Sequence, residues 1–145
     1  MKLQDITTRL NKLLGDERHS FSQLTIHLDK AIDEINSQLN STFPVFSELP
    51  SGTAEYNYFP DQYIRSVVLP GAAAFYYTTD EEGIMTAPQY MQDYQRGIFV
   101  MLRDYFNEVP EEYQSTSTKA LRIEGDFESR VVEGRYLING INLIP

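Results

Sequence analysis

Residues 21–40 read FSQLTIHLDKAIDEINSQLN, and the spacing of their apolar side chains decides the fold class. Phe21, Leu24, Leu28, Ile32, Ile35 and Leu39 step by 3, 4, 4, 3 and 4 residues, which places them on one face of an α-helix. Asp29, Lys30, Asp33 and Glu34 fall mostly off that stripe, so the helix is amphipathic with one face to bury. Ser20 or Ser22 can cap its start by accepting from an N–H of the first turn. Such a helix depends on packing partners for its stability, and the flanking sequence supplies them.

Upstream, Leu3, Ile6, Leu10 and Leu13 or Leu14 recur at helical spacing before Gly15, predicting a first helix over 2–14. Downstream, STFPVFSELPSGTAEYNYFP (41–60) holds three prolines, one glycine and five aromatics. It cannot be helical, and its aromatic content predicts order against some surface. A third helix is expected from about Pro60 to Thr79, with Pro60 at its start and Asp61 favoured by the helix dipole. Tyr63, Ile64, Val67, Val68, Ala73, Ala74 and Tyr77 are its apolar positions, and Ala72, Ala73 and Ala74 permit close approach of a neighbour. Pro70-Gly71 is expected to kink or split it, because Pro70 has no N–H and crowds the Ser66 carbonyl. After the acidic turn Asp80-Glu81-Glu82-Gly83, a fourth helix opens near Thr86 and runs to about Glu108, where Val109-Pro110 ends it. Its apolar positions are Met91, Tyr94, Ile98, Met101 or Leu102, and Tyr105. The expected core stripe is Leu24, Leu28, Ile32, Ile35, Met91, Tyr94, Ile98 and Leu102.

The fold expected is therefore mainly α: a small bundle of about four helices over 1–114, followed by an extended C-terminal arm over 115–145. The arm follows a polar linker, Ser115-Thr116-Ser117-Thr118, and is broken by Gly125, Gly134 and Gly140. Those glycines prevent one more amphipathic helix, and Asn139-Gly140 suits the turn of a short β-hairpin. Charge changes at the same boundary. Residues 1–60 carry 5 basic and 8 acidic side chains, 61–114 carry 3 and 9, and 115–145 carry 4 and 4. A neutral segment containing Ile123, Phe127, Val131, Val132, Tyr136, Leu137, Ile138, Ile141, Leu143 and Ile144 needs a surface on which to bury them. These ten residues are the expected partner-binding set, docking as an extended strand on another chain.

At 145 residues the chain can bury a real core. No apolar run approaches the roughly 20 residues needed to span a bilayer, and the opening MKLQDITTRL is not read as a secretory signal. Zero cysteines exclude thiolate catalysis and cysteine-based zinc sites. His19 and His27 match no zinc spacing. No phosphate-binding glycine loop, dinucleotide fingerprint or nucleophile elbow is present. Neither a catalytic residue nor a cofactor is expected. A net charge of −9 argues against gripping nucleic acid by its phosphates.

The order of features (a short helix, FSQLTIHLDKAIDEINSQL, a Pro/aromatic loop, FPDQYIRSVVLPGAAAFYYTTDEEG, then QYMQDYQRGIFVMLRDYF) resembles the head-to-tail connector, or adaptor, proteins of tailed bacteriophages. The likeness covers residues 1–110, with most of it between Pro60 and Phe106. It implies a structural virion protein, made in the host cytoplasm, that forms a ring of twelve copies beneath the portal. The partners implied are itself, the portal protein and a tail or tail-completion protein, with DNA passing through unread. An acidic lumen would repel passing DNA rather than hold it, and the candidates to face it are Asp80, Glu81, Glu82, Asp93 and Glu111. The competing expectation is a small soluble adaptor that binds a cellular partner through its C-terminal tail.

Overall fold

In a computed structural model of the chain, the described residues are 1–15, 17–79 and 85–115. Four helical stretches account for most of them. α1 is Leu3–Leu13, and α2 is Phe21–Leu39. α3 runs without interruption through Asp61–Tyr63, Ile64–Val68 and Leu69–Thr78. α4 is Ala87–Tyr105. The mainly helical class and the bundle of four helices follow the apolar periodicity. The ten expected arm contacts, from Ile123 to Ile144, and the turn residues Asp80, Glu81 and Glu82 lie outside the described residues.

Of the two candidate caps for α2, Ser20 takes the role. Its hydroxyl accepts from the Gln23 N–H at 3.4 Å, and the Gln23 side chain accepts from the Ser20 N–H at 2.8 Å. This reciprocal pair satisfies two of the donors that a helix start leaves open. At the other end Asn40 adopts a left-handed conformation, φ 53°, and its N–H closes on Asn36 O. Asparagine is among the few side chains that tolerate that region.

The helices run up, down, up, down. Tyr77 of α3 and Tyr90 of α4 both donate to Leu13 O at the end of α1, at 3.2 and 3.1 Å. His19 and His27 pack on Tyr76 near the same end. At the opposite end the Tyr63 and Tyr105 rings meet with centroids 5.4 Å apart. α2 and α3 pack along one another, with α1 on one flank of this pair and α4 on the other. α3 is the most enclosed: Ile64, Val67, Val68, Leu69, Gly71, Ala72, Ala73 and Ala74 are all buried.

The Pro70-Gly71 step is accommodated rather than broken. Residues Ile64–Val68, just before Pro70, form a π-turn, whose wider i→i+5 register removes the demand for a proline N–H. The Ser66 carbonyl then lies against α4. A Cβ added at Gly97 would stand 2.7 Å from that oxygen and 2.9 Å from Val67 Cγ2, so glycine is what permits the contact. Gly71 makes the reciprocal approach, since a Cβ there would fall 2.5 Å from two ring carbons of Tyr94.

On α4 the expected stripe is met in part. Leu24, Leu28, Ile32 and Ile35 are buried as expected, and so are Tyr94 and Tyr105. Of the alternatives Met101 and Leu102 it is Met101 that is enclosed, while Met91, Ile98 and Leu102 are only partly buried. With Gly97 set against α3, its neighbour Ile98 is carried to the edge of the interface and Met101 takes the centre.

The Pro/aromatic segment is ordered, as its composition requires. Asn36 brackets Phe43, with Nδ2 donating to the Phe43 carbonyl and Oδ1 accepting its N–H, both at 2.9 Å. Asp29 accepts from the Phe46 N–H at 2.7 Å. Phe43, Phe46, Tyr56, Tyr58, Phe59 and Tyr113 then form an aromatic cluster with centroid spacings from 4.5 to 5.6 Å.

Two expectations follow. Leu28→Asp should lower stability by several kcal/mol in urea unfolding, because it buries an unpaired charge, and Met101→Asp should cost far more than Ile98→Asp. Gly71→Ala should lose about 1–3 kcal/mol by overpacking against Tyr94, despite the ~1 kcal/mol that alanine gains in helix propensity. A stabilised Gly71→Ala variant would refute the close approach.

Candidate functional site

The polar chemistry of the body is largely engaged in holding the backbone. Asn11 and Asn36 bracket neighbouring turns, Asp29 fixes the loop, and Tyr56 Oη donates to Pro44 O at 2.7 Å. His19 Nε2 lies 3.2 Å from Tyr76 Oη and 3.8 Å from a Glu17 oxygen. Among the described residues, no group of three or more His, Asp or Glu is gathered where it could hold a metal ion. No helix among them is long and apolar enough to cross a membrane.

His27 is different. Its Nδ1 is buried without a hydrogen-bond partner, and its ring meets Tyr76 edge-on at 5.6 Å. Burial first, then the nearby charges of Lys30 and His19, push its pKa below the ordinary 6.5.

One surface stands out in a chain of net charge −9. Between α1 and α3 runs an open groove of about 590 Å³ lined by Asp5, Thr8, Arg9, Lys12, Leu13, Arg65 and Leu69. A second groove of about 460 Å³ shares Thr8 and Lys12 with it and adds Asn11, Glu17, Arg18 and His19. Arg9, Lys12, Arg18 and Arg65 are all exposed, and among the described residues no carboxylate is within ion-pair distance of any of them. By contrast, Arg96 and Arg103 on α4 pair with Asp93 and Asp104. The groove offers a recess for anionic groups, with Leu13 and Leu69 supplying apolar lining. The sequence contains part of this signal, since Arg9 and Lys12 are three residues apart and off the leucine stripe of α1. Arg65 joins them only because α1 and α3 run side by side, a pairing that no local pattern announces.

At the far end of α4, Glu108, Glu111 and Glu112 project from two short 3₁₀ turns, Phe106–Glu108 and Glu111–Tyr113. Burial contributes most to raising the phenols of Tyr63, Tyr105 and Tyr113, and nearby negative charge adds to it: Asp104 and then Glu108 at Tyr63, Glu108 at Tyr105 and Glu112 at Tyr113. Of the expected lumen-facing residues, Asp93 lies in the first half of α4, 3.5 Å from Arg96, while Glu111 lies beyond the helix end. The two are not brought together.

No family model matches the chain. Comparison with curated proteins and with solved structures likewise finds no match.

Neutral His27 is favoured by the folded state, so protons bind better to the unfolded chain. Its contribution should be complete above pH 6.5 and decline as the pH falls below that value toward the lowered folded value. Thermal melts should show the melting temperature falling across that window as the pH is lowered. His27→Phe, which retains the edge-on contact with Tyr76, should remove that component. An unchanged pH profile in the variant would rule it out.

Proposed function

We propose that the chain is a structural assembly subunit of the head-to-tail connector type, forming a ring beneath a phage portal through which DNA passes without being read. The helical body forms the ring wall, and the segment beyond Ser115 is the arm that docks on neighbouring subunits or the portal. The observation that supports this reading best is the way the chain is held where the body ends. The Thr42 N–H donates to Tyr113 O at 2.7 Å, and the Ser115 N–H donates to Asn40 O at 3.0 Å. Ser41 and Gln114 form an antiparallel bridge between them. The polypeptide is thus tied to the base of α2 directly before the stretch where composition turns neutral and apolar. A rigid exit point followed by a segment rich in Ile, Val and Leu suits docking on another chain, which supplies the pockets and backbone partners that such a segment lacks alone. The acidic body agrees with a lumen from which DNA is repelled.

The test is assembly. Mass photometry and negative-stain imaging of the full chain, alone and mixed with a portal ring, should show closed rings or rings capping the portal. A chain truncated after Ser115 should keep its helical circular dichroism and melting temperature but fail to cap the portal. A full-length chain that stays monomeric in both settings would refute the connector reading. Unfolding of the truncated chain would place the arm in the core instead.

A further inference from the structure

We propose that the groove between α1 and α3, rimmed by Arg9, Lys12 and Arg65, receives the acidic edge bearing Glu108 and Glu112 of a second copy of this chain. The inference deepens the ring proposed above and rests on it.

Three observations lead to this pairing. First, the groove gathers cations. Arg9, Lys12, Arg18 and Arg65, half of the eight lysines and arginines among the described residues, line the two adjoining recesses with no ion pair to a described carboxylate, and only Asp5 and Glu17 accompany them. Second, Glu108 and Glu112 are exposed and pair with no cation among the described residues. That edge is rigid. Val109 is buried, Gln114 Nε2 donates to its carbonyl at 2.9 Å, and the Tyr113 ring packs on Phe43 and Tyr58. Carboxylates on such a support lose little freedom on docking.

Third, the two patches belong to opposite flanks. α1 lies on one side of the α2–α3 pair, and the acidic edge follows α4 on the other. They are therefore not placed to neutralise each other within one subunit. A contact between unlike patches on opposite flanks is head-to-tail, and it repeats until it closes into a ring or continues as a filament. Nucleic acid is the weaker candidate for the groove. A chain of net charge −9 repels a phosphate backbone at long range, whereas a short glutamate edge can meet the cations while the rest of each body stays apart. Complementary patches of this kind also orient partners during encounter.

The experiment uses two full-length reversal variants. One carries Arg9→Glu, Lys12→Glu and Arg65→Glu, leaving both faces acidic; the other carries Glu108→Lys and Glu112→Lys, leaving both faces basic. All five positions are exposed, and both variants should keep the wild-type melting temperature. Should either melt lower, the glutamine versions of the same positions take its place. In sedimentation velocity at about 50 mM salt, wild type should associate, and about 500 mM salt should disperse it as the screening length shortens. Each variant alone should require at least about tenfold higher concentration to associate. An equimolar mixture should regain association, because each altered face then meets a face of opposite sign in alternating order.

Variants that associate like wild type, or a mixture that does not recover, would overturn this contact while leaving the ring itself standing. Wild type that stays monomeric at low salt, alone and with a portal ring, would instead remove the ring on which the inference rests. Wild-type binding of a short fluorescent DNA duplex that the Arg9/Lys12/Arg65 variant loses would assign the groove to nucleic acid and overturn the proposal.

Discussion

Tyr94 ties three helices together at a single point. Its ring lies over Gly71 of α3, where no Cβ would fit, and its hydroxyl donates to the Ala31 carbonyl of α2 at 2.9 Å. Both ring and hydroxyl are buried, so the bond forms away from competing water and the phenol is held firmly protonated. The distance from ring to hydroxyl fixes how far α4 stands from α2, and the missing side chain at Gly71 fixes how near it comes to α3. The Ser66–Gly97 contact one turn away holds the same pair of helices in register. With α4 so placed, Met101 and Tyr105 complete the core below it, and Tyr90 reaches Leu13 above it.

Much of this was legible in the sequence, and the reasons differ by element. α2 declares itself because six apolar residues keep step over five turns and Ser20 and Gln23 sit at capping distance. α1, the irregular segment 41–60 and the end of α4 were legible from glycine and proline placed where helices stop. The choice of Met101 as the centre of α4's buried face was not. Ile98 and Leu102 satisfy helical periodicity as well as Met101 does, and the choice between them is made by Gly97 meeting a carbonyl on another helix. Hydrophobic spacing reports that a face exists; only packing reports its centre. The order of the aromatic loop could be anticipated from its composition. Its means, two side chains of α2 reaching out to backbone groups at Phe43 and Phe46, could not.

The charged surface divides along similar lines. The acidic excess of residues 61–114 is visible by counting, yet counting does not separate Asp93, engaged by Arg96, from Glu108 and Glu112, which have no such partner. The basic groove is hidden further, since its members come from α1 and α3 and are diluted by a strongly negative total. Its recognition depends on knowing which helices are neighbours. The ten apolar residues from Ile123 to Ile144 stood out by composition alone, and they lie outside the described residues.

The π-turn in α3 has a consequence for how the bundle is built. A π-turn holds one residue more than an α-helical stretch of the same role, so everything after it is rotated by about 100° relative to an unbroken helix. α3 is in effect two helices of different phase on a common axis. The lower half directs Tyr63, Ile64 and Val67 inward, with Tyr63 against Tyr105 at α4's end and Val67 against Gly97. The upper half presents Gly71 and three alanines, a smooth surface along which neighbours can lie close. One helix thereby turns two differently phased faces to its neighbours, and the offset between them is written in the backbone rather than in any side chain.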